Sequence, residues 1–173
     1  MNDYEDNCTY NLAETCIDSI TIKELLEMCG KDVTEYMVDL ADTRLTYSHI
    51  FGSPELLKGI SGLYKEAKPE HIIPTHGAIG ANNLAITTII CPEDNMVSVM
   101  PTYQQHYSIP ESIGAEVRIL NLNLGNHFLP DIEQLKSLVD ENTKMITINS
   151  PNNPSGSLIP VDEMKKIVEI AKS

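Results

Sequence analysis

Three short segments bring together residue types suited to a phosphate, a flat ring and a polar ring substituent. The first is Thr75-His76-Gly77-Ala78-Ile79-Gly80-Ala81. It reads as a strand, a tight turn of small residues and a helix start. Such a turn frees backbone N–H groups at a helix N-terminus, where the dipole also favours an anion. It is not a Walker loop, because no Gly-Lys-Ser/Thr follows, and the dinucleotide-binding glycine spacing is absent. Glycine also serves turn geometry alone, so both readings stay open from these residues. The second segment, Pro101-Thr102-Tyr103, follows the predicted strand Met96–Met100. Ligands in an open α/β sheet sit beyond the C-terminal ends of the strands. Tyr103 could stack there on a heterocycle, or simply pack at a helix start. The third is Asn149-Ser150-Pro151-Asn152-Asn153-Pro154-Ser155-Gly156. Its prolines stiffen the backbone and its asparagines offer amide donors to a phenolate oxygen. An ordinary Asn/Pro/Gly turn has similar composition, but this density over one segment favours function.

The elements that must position these segments alternate. Short strands are predicted over His71–Thr75, Met96–Met100, Glu116–Leu120 and Lys144–Asn149. Helices are predicted from Gly77 through Ile90, over Tyr103–Ile113 with Gly114 closing it, over Asp131–Val139 and over Val161–Lys172. This alternation implies an α/β fold with a mainly parallel sheet covered on both faces, a three-layer αβα arrangement. The three segments then converge on one sheet edge. Upstream, Thr21 and Glu24 form a capping box for a helix ending at Gly30. The stretches Tyr10–Ser19 and Met37–Tyr47 lack sustained periodicity and read as an arm. Ser53-Pro54 starts a further helix, with Leu56, Leu57, Ile60, Leu63 and Tyr64 on its apolar face and Lys68-Pro69 at its end.

The charge is uneven. Residues 1–55 hold twelve acidic side chains against three basic ones, within a chain whose net charge is −13. That balance repels a phosphate backbone and excludes nucleic acid as a partner. No window is apolar enough for a membrane helix, and the polar, acidic start is not a signal peptide. Cys8, Cys16, Cys29 and Cys91 form no CxxC pair and, with five histidines, supply no clustered metal ligands. Reduced, mostly buried thiols in a cytoplasmic protein are expected.

Taken together, the motifs resemble those of the class I/II (fold-type I) aminotransferases, enzymes that use pyridoxal 5'-phosphate (PLP). The likeness runs from about Leu45 to about Lys172. Tyr47 followed by Gly52-Ser53-Pro54-Glu55-Leu56 is similar to the family's opening motif. Thr75-x-Gly77-Ala78, Cys91-Pro92-Glu93-Asp94, Pro101-x-Tyr103 and Gly114-Ala115 follow in the family's order. Asn149–Gly156 resembles its "NxPNNPTG" signature. The resemblance implies that Gly77, Ala78 and Ile79 place backbone amides on the PLP phosphate and that Tyr103 stacks on the pyridine. It implies that Asn153 bonds the phenolic oxygen, and that Tyr47 reaches the phosphate of the neighbouring subunit's cofactor in a homodimer. The implied activity is amino transfer between an amino acid and a 2-oxo acid. A carbon–sulfur lyase of the same fold, or a non-catalytic binding or pairing module, are the rival readings.

Residues 1–50 would then form an arm and helix on the substrate side, and residues 51–173 part of the PLP-binding large domain. The sequence departs from the family pattern in places. Leu57 stands where the family has arginine. Asn11–Cys16 lacks the family's glycine-rich substrate strand, and a subgroup similar to capreomycidine synthase is the loose match. His76 either contacts phosphate or substrate or fills space, the latter being favoured. Lys165, Lys166 and Lys172 match no Ser-x-x-Lys context for a Schiff-base lysine. The pyridine-pairing aspartate and the carboxylate-binding arginine are likewise unmatched. The chain alone is therefore expected to be inactive, because PLP chemistry needs that lysine as carrier and proton donor.

Overall fold

The computed structural model describes residues 7–10, 17 and 19–172. They form two compact units, dividing between Ile73 and Pro74.

In the first unit, α1 (Ile22–Met28) starts as expected. The Glu24 backbone N–H donates to Thr21 Oγ1 at 3.2 Å, and the Thr21 backbone N–H donates to Glu24 Oε2 at 2.7 Å. That backbone donor holds the Glu24 carboxyl below its ordinary range. A second helix, α2 (Val33–Ala41), forms where no sustained periodicity was read. Its origin is local: the Asp32 carboxylate accepts from the Glu35 backbone N–H at 2.9 Å. Val33, Tyr36, Met37 and Leu40 share one face of it, yet none of its residues is buried. The helix α3 (Pro54–Ser61) is capped by Ser53, whose Oγ accepts from the Leu56 N–H at 3.2 Å. It stops at Gly62, well short of Lys68-Pro69, and Leu63 and Tyr64 lie beyond it, exposed. Pro69–His71 then forms a single 3-10 turn. The strand expected over 71–75 does not form. Extended backbone there finds no ladder partner, and Pro74 has no N–H to give one.

The second unit holds α4 (Gly77–Ile89), β1 (Asn95–Met100), α5 (Gln105–Ile113), β2 (Glu116–Asn121), α6 (Ile132–Leu138), β3 (Thr143–Thr147) and α7 (Val161–Lys172). Among the described residues the sheet has three strands, all parallel, in the order β2-β1-β3. Met100 pairs with Asn121, and Ser98 with Thr147. The central strand is buried on both faces, as parallel sheets require. Met96 packs with Ile86 and Ile90 of the α4 segment and Ala115 on one side. Val97 and Val99 pack with Leu120, Leu135 of α6 and Ile167 of α7 in the other cluster. The expected α/β layering is therefore present. Expected boundaries shift slightly: α5 begins at Gln105 rather than Tyr103, and β3 ends at Thr147 rather than Asn149.

The N-terminal ends of the strands are tied by a polar network. Arg118 Nη1 lies 2.7 Å from Asp140 Oδ2 and Nη2 lies 3.0 Å from Glu116 Oε2. Asn95 Nδ2 donates to Asp140 Oδ1 at 2.9 Å, and Thr143 Oγ1 donates to Asn95 Oδ1 at 2.6 Å. These donors, Asn95 first and then Arg118, bring the Asp140 pKa down to about 2. Every partner is spoken for, so this cluster locks β1, β2 and the start of β3 in register.

The expectation of mostly buried thiols is corrected. Cys8, Cys29 and Cys91 are exposed, and Cys16 lies outside the described residues, as does the arm segment 11–16. Cys29 sits at a helix C-cap and Cys91 in the turn before β1, positions that face solvent. Among the described residues, no helix is long and apolar enough to cross a membrane.

Candidate functional site

The phosphate-type turn leads straight into α4. Gly77 opens the helix with φ +70°, a backbone conformation that disfavours L side chains. The N-cap residue His76 makes no side-chain cap hydrogen bond. The first N–H groups of a helix have no partner within it. Those of Gly77, Ala78 and Ile79 are therefore not taken by a capping side chain. Thr75 Oγ1 donates to the Gly77 carbonyl at 3.0 Å and closes the turn. A Cβ at Gly80 would come within 3.1 Å of Thr75 Cβ, so glycine lets the helix pack against the incoming chain.

Beyond the end of β1, Tyr103 is 44% exposed, leaving its ring available to a partner. Its carbonyl accepts from the His106 backbone N–H at 3.0 Å. His106 itself is buried, its Nδ1 lies 3.2 Å from Thr102 Oγ1, and burial pushes its pKa down. A neutral His106 thus braces the segment that carries Tyr103. The Asn/Pro loop beyond β3 leaves the same edge of the sheet, since β1 and β3 are parallel. Asn152 is buried at 4% exposure, whereas Asn153 is half-buried.

Side-chain hydrogen bonds join the three segments. Gln105 Nε2 donates to the Ile79 carbonyl at 3.2 Å, and Asn82 Nδ2 donates to Gln105 Oε1 at 3.2 Å. That amide pair fixes the start of α5 against the first turn of α4. Asn152 Nδ2 donates to the Pro101 carbonyl at 3.2 Å and fixes the Asn/Pro loop against the Tyr103 segment. The amide orientation is settled by chemistry, because the Pro101 carbonyl can only accept. Two side-chain oxygens in this loop, Asn149 Oδ1 and Asn152 Oδ1, are buried without a partner. Each such oxygen costs about 1–3 kcal/mol of folding stability. The loop therefore carries more polar capacity than its own fold consumes.

Gly77, Ala78, Ile79, Tyr103 and Asn153 all belong to the second unit, on segments tied to one another. Tyr47 lies in the first unit, fully exposed. Gln105, Asn152 and His106 escaped the sequence reading. The dense Asn/Pro run did signal Asn152, whereas nothing local marks Gln105 as a bridge. No cluster of three or more His, Cys, Asp or Glu suited to a metal occurs among the described residues.

An α/β sheet whose three post-strand or pre-helix segments converge in this way has close counterparts. The family model "Aminotransferase class I and II" matches residues 18–173. The chain belongs to the class I and II aminotransferase family. A PLP-dependent aminotransferase from Streptococcus suis 89-1591 superposes with a TM-score of 0.93 at 42% identity, covering 99% of this chain and 46% of that one. A probable aspartate aminotransferase from Methanocaldococcus jannaschii is 32% identical over 151 residues, 82% of this chain and 40% of the relative. A histidinol-phosphate aminotransferase from Methanococcus maripaludis is 28% identical over 141 residues, 82% of this chain and 38% of the relative. The chain thus spans less than half the length of these aminotransferases. Their named substrates differ although the fold is shared, so the fold alone fixes no substrate.

Proposed function

We propose that this chain contributes part of the PLP site of an aminotransferase that moves an amino group between an amino acid and a 2-oxo acid. The observation that carries the reading is the pair of cross-links, Gln105 to Ile79 and Asn152 to Pro101, which hold three recognition segments on one edge. PLP supplies an electron sink when bound, and the protein's task is to bind and orient it. The residues present fit that group. The backbone amides of Gly77, Ala78 and Ile79 would hold the phosphate, with the helix dipole adding to their attraction. Tyr103 would stack on the pyridine face. Asn153 would donate to the phenolic oxygen and stabilise its charge.

Tyr47 would serve the phosphate of a neighbouring subunit's cofactor. The exposed apolar run Leu45, Tyr47, Ile50 and Phe51 supports a homodimer, because such runs are rarely left in solvent. Residues 1–50 then form the substrate-side arm and residues 51–173 the cofactor-binding portion, in a cytoplasmic enzyme. Kinship to the capreomycidine synthase subgroup is the narrower form of the same reading.

The test is equilibrium titration of the purified chain with PLP, followed by the change in PLP absorbance. Saturable binding is expected, weakened about ten-fold in Tyr103→Ala by loss of ring contact and largely kept in Tyr103→Phe. Equal affinity of Tyr103→Ala and the unchanged chain would remove Tyr103 from the site.

A further inference from the structure

Asn152 enters the reading so far only through its bond to Pro101, yet it is the most buried residue of the Asn/Pro loop. Its side chain is a node in a line of hydrogen bonds that crosses the whole binding edge. Nδ2 donates to the Pro101 carbonyl at 3.2 Å, beyond β1, and to Ser155 Oγ at 2.9 Å. Ser155 Oγ lies 2.9 Å from Ser157 Oγ, and Ser157 Oγ donates to the Phe128 carbonyl at 3.0 Å, in the connection that follows β2. The backbone of the loop is closed on the same residue. The Asn152 N–H donates to the Ser157 carbonyl at 2.8 Å, and the Gly156 N–H donates to the Asn152 carbonyl at 2.7 Å. Three side chains in series, Asn152, Ser155 and Ser157, therefore couple the connections that leave all three strands. The two flanks of Asn152 carry Tyr103, two residues beyond Pro101, and Asn153, the next residue along the chain.

From this we infer that Asn152 is a positioning residue, which sets the spacing between the ring-stacking Tyr103 and the amide of Asn153 without touching the ligand. The inference rests on the PLP reading above and deepens it. Asn152 retains an unpartnered buried oxygen, so its amide is not there for economy of hydrogen bonding. What it provides is two donors on one nitrogen, one aimed at the Pro101 carbonyl of the Tyr103 segment and the other at Ser155 of its own loop. An aspartate of the same shape would turn an oxygen on the Pro101 carbonyl and repel it. An alanine would leave the two loops unlinked. The phosphate turn has its own brace through Gln105, so the two halves of the ligand site depend on different cross-links.

That separation supplies the test. The unchanged chain, Asn152→Ala and Asn152→Asp are titrated with PLP, and separately with inorganic phosphate in competition. Both variants are expected to bind PLP about ten-fold more weakly, the loss of one ordinary hydrogen-bonded constraint, with phosphate affinity unchanged. The absorption maximum of bound PLP is expected to move to shorter wavelength, as the phenolic oxygen loses its donor and holds its proton. Unchanged PLP affinity and spectrum would overturn the inference. Equal loss of PLP and phosphate would overturn it too, by making Asn152 a general structural residue. Should both variants fail to fold, Ser155→Ala removes one of the two acceptors, and PLP binding as tight as in the unchanged chain would overturn it. Absence of PLP binding by the unchanged chain is a separate result. It would overturn the functional reading itself and this inference with it.

Discussion

Replacing Gly77 by alanine tests whether the phosphate-type turn depends on a backbone conformation rather than on space. Gly77 has φ +70°, and a Cβ built there would meet only Ile79 Cγ2, at 3.7 Å, an ordinary contact. Steric crowding with neighbours therefore contributes nothing. The left-handed conformation itself costs an L residue about 1–2 kcal/mol. The helix cannot easily escape by rotating its first turn, because α4 is anchored at its far end by Ile86, and the segment just beyond by Ile90. The strain should then appear as lost stability, about 1–2 kcal/mol for Gly77→Ala. Asparagine tolerates positive φ better than alanine, so Gly77→Asn should lose clearly less. The chain contains no tryptophan, so urea unfolding is followed by far-UV circular dichroism. An alanine variant as stable as the unchanged chain would refute the reasoning. So would an asparagine variant no better than alanine, since bulk rather than conformation would then be the cause.

Leu135 is fully buried between α6 and the sheet, so Leu135→Ala should lower the unfolding free energy by about 2–5 kcal/mol in the same urea assay. Asp140 has its folded pKa depressed to about 2 from an ordinary 3.8. Its contribution is therefore complete above pH 3.8 and is lost as pH falls toward 2. Asp140→Asn should be less stable than the unchanged chain at neutral pH, with the gap closing over that acid window. A gap independent of pH would assign the effect to packing.

Much of the second unit was legible because its elements are marked by local chemistry. Asp131 caps α6 and Gly114 closes α5 in the left-handed conformation, as their residue types foretell. Met96, Val97 and Val99 read as a buried strand because β1 is covered on both faces. The failures have physical causes. A run such as His71–Thr75 has strand-like residues, but a strand exists only where a neighbour accepts its hydrogen bonds. The helix α2 carries Val33, Tyr36, Met37 and Leu40 at helical spacing, but buries none of them, and its start at the Asp32 cap lies before the arm stretch Met37–Tyr47. At the site, Tyr103 and Asn153 do follow strands, as read from the sequence, whereas Gly77 opens a helix with no strand before it. Gln105 and Asn152 could not be assigned as cross-links, because their partners lie 26 and 51 residues away in the chain. Non-local pairing is written into the fold and not into any short window.

The position of β1 between its two neighbours has a kinetic meaning. From Asn95 to Ser98 the strand is paired on both sides and its side chains are buried, so exchange of its amides with solvent should require opening of the whole unit. The first turn of α4 is exposed, and its amides should exchange through small local fluctuations. Tyr103 and the Asn/Pro loop, hung from β1 and β3, thus present a firm wall, while the turn at Gly77 is the yielding one. A ligand grasped by both would be expected to slow exchange chiefly at Gly77 to Ile79, making those amides the sensitive reporters of occupancy.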